Sequence, residues 1–319
     1  MFPLHGLPRV VFVLGKGGVG RSTVATALAT ALAKSGERVL VFQWALAEAI
    51  GPWFGLSPVG IAPRLISPDV SVANFRLDDA LRLFFEDHLK MGMFYRTVVR
   101  GAAIHRLIEA APGIAEMMFM GHVCWLTTLA EKEAGLKFDR VVVDAPATGH
   151  GASLLDMPGT LGSMHAAGLM GTEIAGVQRM MRDPAWSGAL AVALPEELAV
   201  EETLELVPRA TRSLGRPLLA VLVNRSAARF VTEEERPDWL GVASGRLSPA
   251  CAQALEGLHA DLRGRLRFEQ QLRSRLKDAT RHGVFGLDEQ LALGVDASPR
   301  AIVAALASSM LIGDEARAA

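Results

Sequence analysis

The chain has 319 residues, 50% of them hydrophobic, with a formal net charge of -1 and only two cysteines. That near-neutral balance excludes a protein that grips nucleic acid or an anionic membrane through bulk charge. Cys124 and Cys251 lie far apart without a C-x-x-C pair, which excludes a disulfide framework or a cysteine zinc site and fits a reducing, cytoplasmic setting.

Met1 to Arg9 carry no basic leader, so no signal peptide is expected. The run Val10–Leu14 predicts a buried strand. It feeds Gly15-Lys16-Gly17-Gly18-Val19-Gly20-Arg21-Ser22-Thr23 and then a helix from Val24 to Lys34, stopped by Gly36. The glycines let successive N–H groups point inward, and the following helix offers its free N–H groups and positive dipole end to an anion. Gly15, Gly20 and Ser22 have the spacing of a phosphate-binding P-loop, in which Ser22 would ligand the magnesium of a nucleoside triphosphate. Arginine stands at position 21, where the P-loop pattern has lysine. Its planar fork grips phosphate differently from a compact ammonium.

Further strands are predicted at Arg38–Phe42, Val70–Phe75, Arg140–Val143, Ala189–Leu194 and Leu218–Val223. Helices are predicted at Leu77–Lys90, Gly101–Ala111, Ala115–Glu133 and Glu196–Leu214. The apolar window Gly113–Ala130 is interrupted by Glu116 and His122 and reads as a buried helix, not a membrane span. A charged helical stretch lies between Val231 and Thr280, broken by Pro237 and Gly241. One or two short helices close the chain over Asp288–Met310, followed by a frayed tail from Gly313 to Ala319. Alternating strands and helices give the α/β fold class: a doubly wound, mostly parallel sheet of P-loop NTPase type with an inserted helical subdomain. The expected organisation is one domain over 1–319, with helical segments at about 77–135 and 155–187.

In Phe138-Asp139-Arg140-Val141-Val142-Val143-Asp144, Asp144 ends a buried strand, where open α/β sheets bind ligands, and is a second candidate magnesium ligand. Gly149 follows and could offer its N–H to a γ-phosphate. Ten of the twelve methionines fall between Met91 and Met181, a concentration that suits either core packing or an adaptable apolar groove.

The early lysine in Lys16-Gly17-Gly18-Val19-Gly20 resembles the deviant P-loop of the MinD, ParA, nitrogenase iron protein and ArsA group. Asp144-Ala145-Pro146-Ala147-Thr148-Gly149-His150 is similar to the ArsA-family signature. So are Ala111-Pro112-Gly113-Ile114-Ala115-Glu116, the stretch Leu194–Thr203, and Val221-Leu222-Val223-Asn224-Arg225. On these residues the chain is identified as a member of the ArsA family. The resemblance implies ATP and Mg2+ as cofactors and a dimer, either of two copies or with a related ATPase subunit. Lys16 would reach the partner's phosphates, and Asn224 and Arg225 would lie at the adenine. A hydrophobic helix client or a protein partner is implied, with no nucleic acid and no direct membrane anchor. Lys16, Arg21 and Asp144 are the expected catalytic set. The family's acidic residue after the second strand is absent from Gln43-Trp44-Ala45-Leu46-Ala47, and the first acid is Glu48. Slow hydrolysis, or none by this chain alone, is the resulting expectation.

Overall fold

A computed structural model describes residues 2–45, 47–88, 93, 113–146, 154–156, 169–228, 245–288, 290 and 296–318. The strands among them are β1 (Val10–Leu14), β2 (Val39–Gln43), β3 (Arg64–Ser67), β4 (Val70–Asn74), β5 (Arg140–Asp144), β6 (Ser187–Ala193), β7 (Ala220–Ser226) and β8 (Val284–Asp288). They form one sheet in the order β3-β4-β2-β5-β1-β6-β7-β8. All pairings are parallel except β3 with β4. The doubly wound α/β sheet read from the sequence is therefore what the chain builds.

Successive β1 residues face opposite ways, as strand geometry requires. Phe12 and Leu14 join a core layer with Phe42, Phe75 and Phe119, whereas Val11 and Val13 join the opposite layer with Leu28, Leu32 and Ile50. The second layer lies under α1 (Arg21–Lys34), α2 (Ile50–Trp53) and α9 (Pro299–Ala318), and the α9 residues Val303, Leu306 and Met310 are buried in it. The first layer takes α3 (Leu77–Leu83), α4 (Ile114–Thr128), α5 (Ala130–Ala134), α6 (Leu169–Arg182), α7 (Glu197–Leu214) and α8 (Pro249–Arg275). Burial on both faces explains why the central strands read as unbroken apolar runs.

Several expectations shift. α1 begins at Arg21, three residues before Val24, because Gly20 in the left-handed region (φ 87°) already turns the chain into the helix. The helix read over Leu77–Lys90 is α-helical only to Leu83 and continues as a π-turn over Phe84–His88. The helix read over Ala115–Glu133 is broken at Leu129 into α4 and α5. The two edge strands escaped notice: β3 is short and antiparallel, and β8 contains Gly286. The tail expected to fray from Gly313 is instead the last part of α9, which runs to Ala318. The predicted helix Gly101–Ala111 lies outside the described residues. No helix among the described residues is long and apolar enough to cross a membrane.

Candidate functional site

The carboxyl ends of β1, β5, β2 and β7 converge at the start of α1. Three glycines make the loop after β1 possible. A side chain at Gly15 would meet the carbonyl oxygen of Val192 at 2.7 Å. Gly18 and Gly20 hold φ values of 86° and 87°, and a Cβ at Gly20 would lie 2.4 Å from Asn224 Nδ2. No side chain caps α1, so its first N–H groups remain available to an anion.

Ser22 Oγ donates to Asp144 Oδ2 at 2.6 Å. Asp144 is 4% exposed, and its Oδ1 has no hydrogen-bond partner. Burial pushes this carboxyl above its ordinary pKa; the Ser22 hydrogen bond and the nearby Arg21 charge oppose that rise. An orphaned carboxylate oxygen beside a serine hydroxyl, under free backbone N–H groups, fits a hard cation held jointly with phosphate oxygens. Among the described residues no cluster of three or more His, Cys, Asp or Glu side chains could hold a metal alone.

Arg21 Nη1 donates to the Ala145 carbonyl at 2.8 Å, tying the start of α1 to the end of β5. Burial lowers its pKa, and the Asp144 charge works against that. Lys16 does not point freely outward: its Nζ pairs with Glu202 Oε1 on α7 at 2.8 Å. Asn224 Nδ2 donates to the Val19 carbonyl at 3.0 Å, and its Oδ1 accepts the Arg225 N–H at 3.1 Å. Arg225 itself is exposed, with φ 56°. Gly15 to Thr23, Asp144, Asn224 and Arg225 are thus brought together, while Gly149 lies outside the described residues.

The end of β2 is built differently. Gln43 is 1% exposed, and its Nε2 has no partner. It is in register with Asp144 on one side and Asn74 on the other. Asn74 accepts the Ala45 N–H and donates to the Ala45 carbonyl, both at 3.1 Å. Trp44 stacks on Phe119 with ring centroids 5.3 Å apart. Glu48, the first acid after β2, is engaged with the chain at Val59. Its Oε2 accepts the Val59 N–H at 2.6 Å, and burial pushes its pKa up. Asn74 and Glu202 are the functional neighbours that sequence reasoning missed. An amide side chain at the carboxyl end of a buried strand was the available signal for Asn74; nothing local marked Glu202 among its acidic neighbours.

The methionines divide. Met120, Met180 and Met181 are buried in the core, Met117 and Met118 pack against it, and Met93 is exposed. Met91, Met157 and Met164 lie outside the described residues. Neither cysteine is in a disulfide; Cys124 is buried and Cys251 exposed.

The comparisons with known proteins agree with this geometry. The anion-transporting ATPase family model matches residues 8–169, just over half of the chain. ATPase BagA of Mycobacterium tuberculosis is 28% identical over 223 residues, covering 68% of this chain and 65% of that protein. ATPase ARSA2 of Chlamydomonas reinhardtii is 28% identical over 237 residues, covering 71% and 62%. An arsenical pump-driving ATPase of Acidiphilium multivorum is 28% identical over 165 residues, covering 50% and 27%. The matches thus span somewhat under two thirds of the first two relatives and about a quarter of the third. By its strand order, its phosphate-type loop and this match, the chain belongs to the anion-transporting (ArsA-type) ATPase family.

Proposed function

We propose that this chain is a nucleotide-dependent dimeric switch that binds Mg-ATP, hydrolyses it slowly, and uses the bound state to control a hydrophobic client or protein partner. The observation that carries the reading is the Ser22–Asp144 pair, with one carboxylate oxygen unpartnered, at the mouth of an uncapped glycine-rich loop. Ser22 and Asp144 would hold the magnesium, and backbone N–H groups from Gly17 to Thr23 would cradle the phosphates. When bound, the cation supplies charge neutralisation at the β- and γ-phosphates. Arg21 adds a fixed cation at the junction of α1 and β5. Asn224 and Arg225 form the base end of the site, and Gly149 is the candidate γ-phosphate contact. Lys16, released from Glu202, is the group proposed to reach a partner's phosphates. The whole chain is taken to act as one P-loop domain, with the segments around 77–135 and 155–187 carrying the client or partner surface. A cytoplasmic location fits this use.

A second reading is favoured by the end of β2. Ala45 is pinned by Asn74, and Glu48, the one acid in this loop, is engaged through Oε2 with the Val59 N–H. Water activation then rests on neutral groups, which suits a non-hydrolysing, ATP-binding subunit that positions a partner or pairs with a related active ATPase. Light scattering of the purified chain with Mg-ATP, Mg-ADP and no nucleotide tests the dimeric switch. ATP-specific doubling of mass is expected; an unchanged mass in all three conditions contradicts the homodimeric form and directs the search to a related subunit.

A further inference from the structure

The buried carboxylate of Glu269 lies on α8, outside the phosphate site, yet it is connected to it. Glu269 is 0% exposed. Its Oε2 accepts the Ser226 hydroxyl at 2.6 Å, and its Oε1 accepts Arg273 Nη2 at 2.5 Å. Arg273 Nη1 in turn donates to the Val284 carbonyl at the start of β8, at 2.7 Å. Gly286 of β8 leaves the space this network occupies: a Cβ there would lie 2.4 Å from Ser226 Oγ and 2.7 Å from Glu269 Oε1. A fully buried carboxylate with both oxygens engaged holds Ser226, itself buried, firmly, because an oxygen left without a donor would be a costly buried acceptor.

Ser226 sits at a telling place. The β7–β8 register shifts between Asn224 and Ser226, and the residue between them, Arg225, is in the left-handed region. This is a β-bulge, a device that re-aims a neighbouring side chain. On its near side, Asn224 donates to the Val19 carbonyl and packs where Gly20 lacks a Cβ. On its far side, Ser226 is held by Glu269.

We propose that Glu269 is a positioning residue for the phosphate loop, acting through Ser226 and the Arg225 bulge to hold Asn224 against Val19 and Gly20. This inference rests on the reading of the loop as a nucleotide cradle. It adds that α8, which packs on β7 and β8, sets the order of that cradle.

The test uses the full chain with two readouts. The first is calorimetric affinity for Mg-ATP and for magnesium tripolyphosphate in Ser226→Ala, Asn224→Ala and the double variant. Each single change is expected to weaken both ligands about tenfold, and the double variant to be no more than about twofold worse than the stronger single one, as coupled positions require. Additive losses, or wild-type affinity in Ser226→Ala with only a lower Tm, would overturn the proposal. The second readout is amide exchange at Val19–Ser22 without ligand, expected to be about tenfold faster in Ser226→Ala as the loop loses local protection. Unchanged exchange overturns the relay even if the wild-type chain binds neither ligand. Failure of wild-type binding by itself overturns the nucleotide reading. Glu269→Gln repeats both measurements if Ser226→Ala fails to fold.

Discussion

The end of β5 and the end of β2 are register neighbours in one sheet, yet they are equipped for different tasks. At β5, Asp144 is buried, half engaged by Ser22, and faces a loop that glycines have opened for an anion. At β2, Gln43 is neutral, Ala45 is clamped at both its backbone groups by Asn74, and Trp44 is wedged against Phe119 and Phe75. The first leaves one buried carboxylate oxygen without a hydrogen-bond partner beside a glycine-rich loop. The second ends in a buried neutral amide, Gln43, followed by a half-buried tryptophan held by aromatic contacts. On the proposed reading, the difference assigns binding to the end of β5 and leaves turnover to the end of β2, so the two can be tested separately.

Breaking the β5 side gives the largest expected effect. Asp144→Asn should lower magnesium-dependent ATP affinity about 100-fold, seen by calorimetry with and without chelator. Stability should move the other way. The folded chain holds the Asp144 proton more tightly than the unfolded chain does. Ionising it therefore costs stability as pH rises from about 4, the unfolded value, through the raised folded value. Asparagine removes that cost, so the Tm advantage of the variant should open with rising pH.

Supplying what β2 lacks is the next largest change. Ala45→Asp should raise single-turnover hydrolysis about tenfold, since a positioned carboxylate is worth at least that much in general-base chemistry. An unchanged rate would mean that other parts of the switch are missing as well. A smaller effect is expected from freeing Lys16. Glu202→Ala removes a partly exposed ion pair of modest strength, so ATP-dependent dimerisation should tighten about threefold, measured by light scattering. Smallest is a control at the opposite end of the sheet. Arg38 holds the Asp139 carboxyl down to about 2. That pair contributes stability above the ordinary carboxylate value and loses it as pH falls toward the folded one. Asp139→Asn should lower Tm by about 1–2 °C at neutral pH, with the gap closing below about pH 4, because the pair is exposed and screened. Nucleotide affinity should not change.

Much of this was legible in the chain. The run Val10–Leu14 gave β1 without error because a strand buried on both faces has no polar residue to blur it. The glycine spacing and Asp144 marked a loop and a strand end that the fold does bring together, for a similar reason: close backbone approach and a carboxylate at a strand end leave few alternatives among residue types. The edge strands were not legible, since β3 is half exposed and β8 depends on β7 for its identity. Nor were the partners of the functional side chains. Lys16 with Glu202 is separated by 186 residues, and Ser226 with Glu269 by 43, so only the tertiary fold pairs them. The same limit applies to Asn224, whose link to Val19 spans 205 residues.

The most direct measurement of the central claim is a single-turnover assay with γ-labelled ATP and magnesium on the purified chain, following bound nucleotide and released phosphate together. ATP that binds and stays largely intact for minutes is the expected result. Phosphate release at an ordinary enzymatic rate, about 1 s⁻¹ or faster, would contradict it.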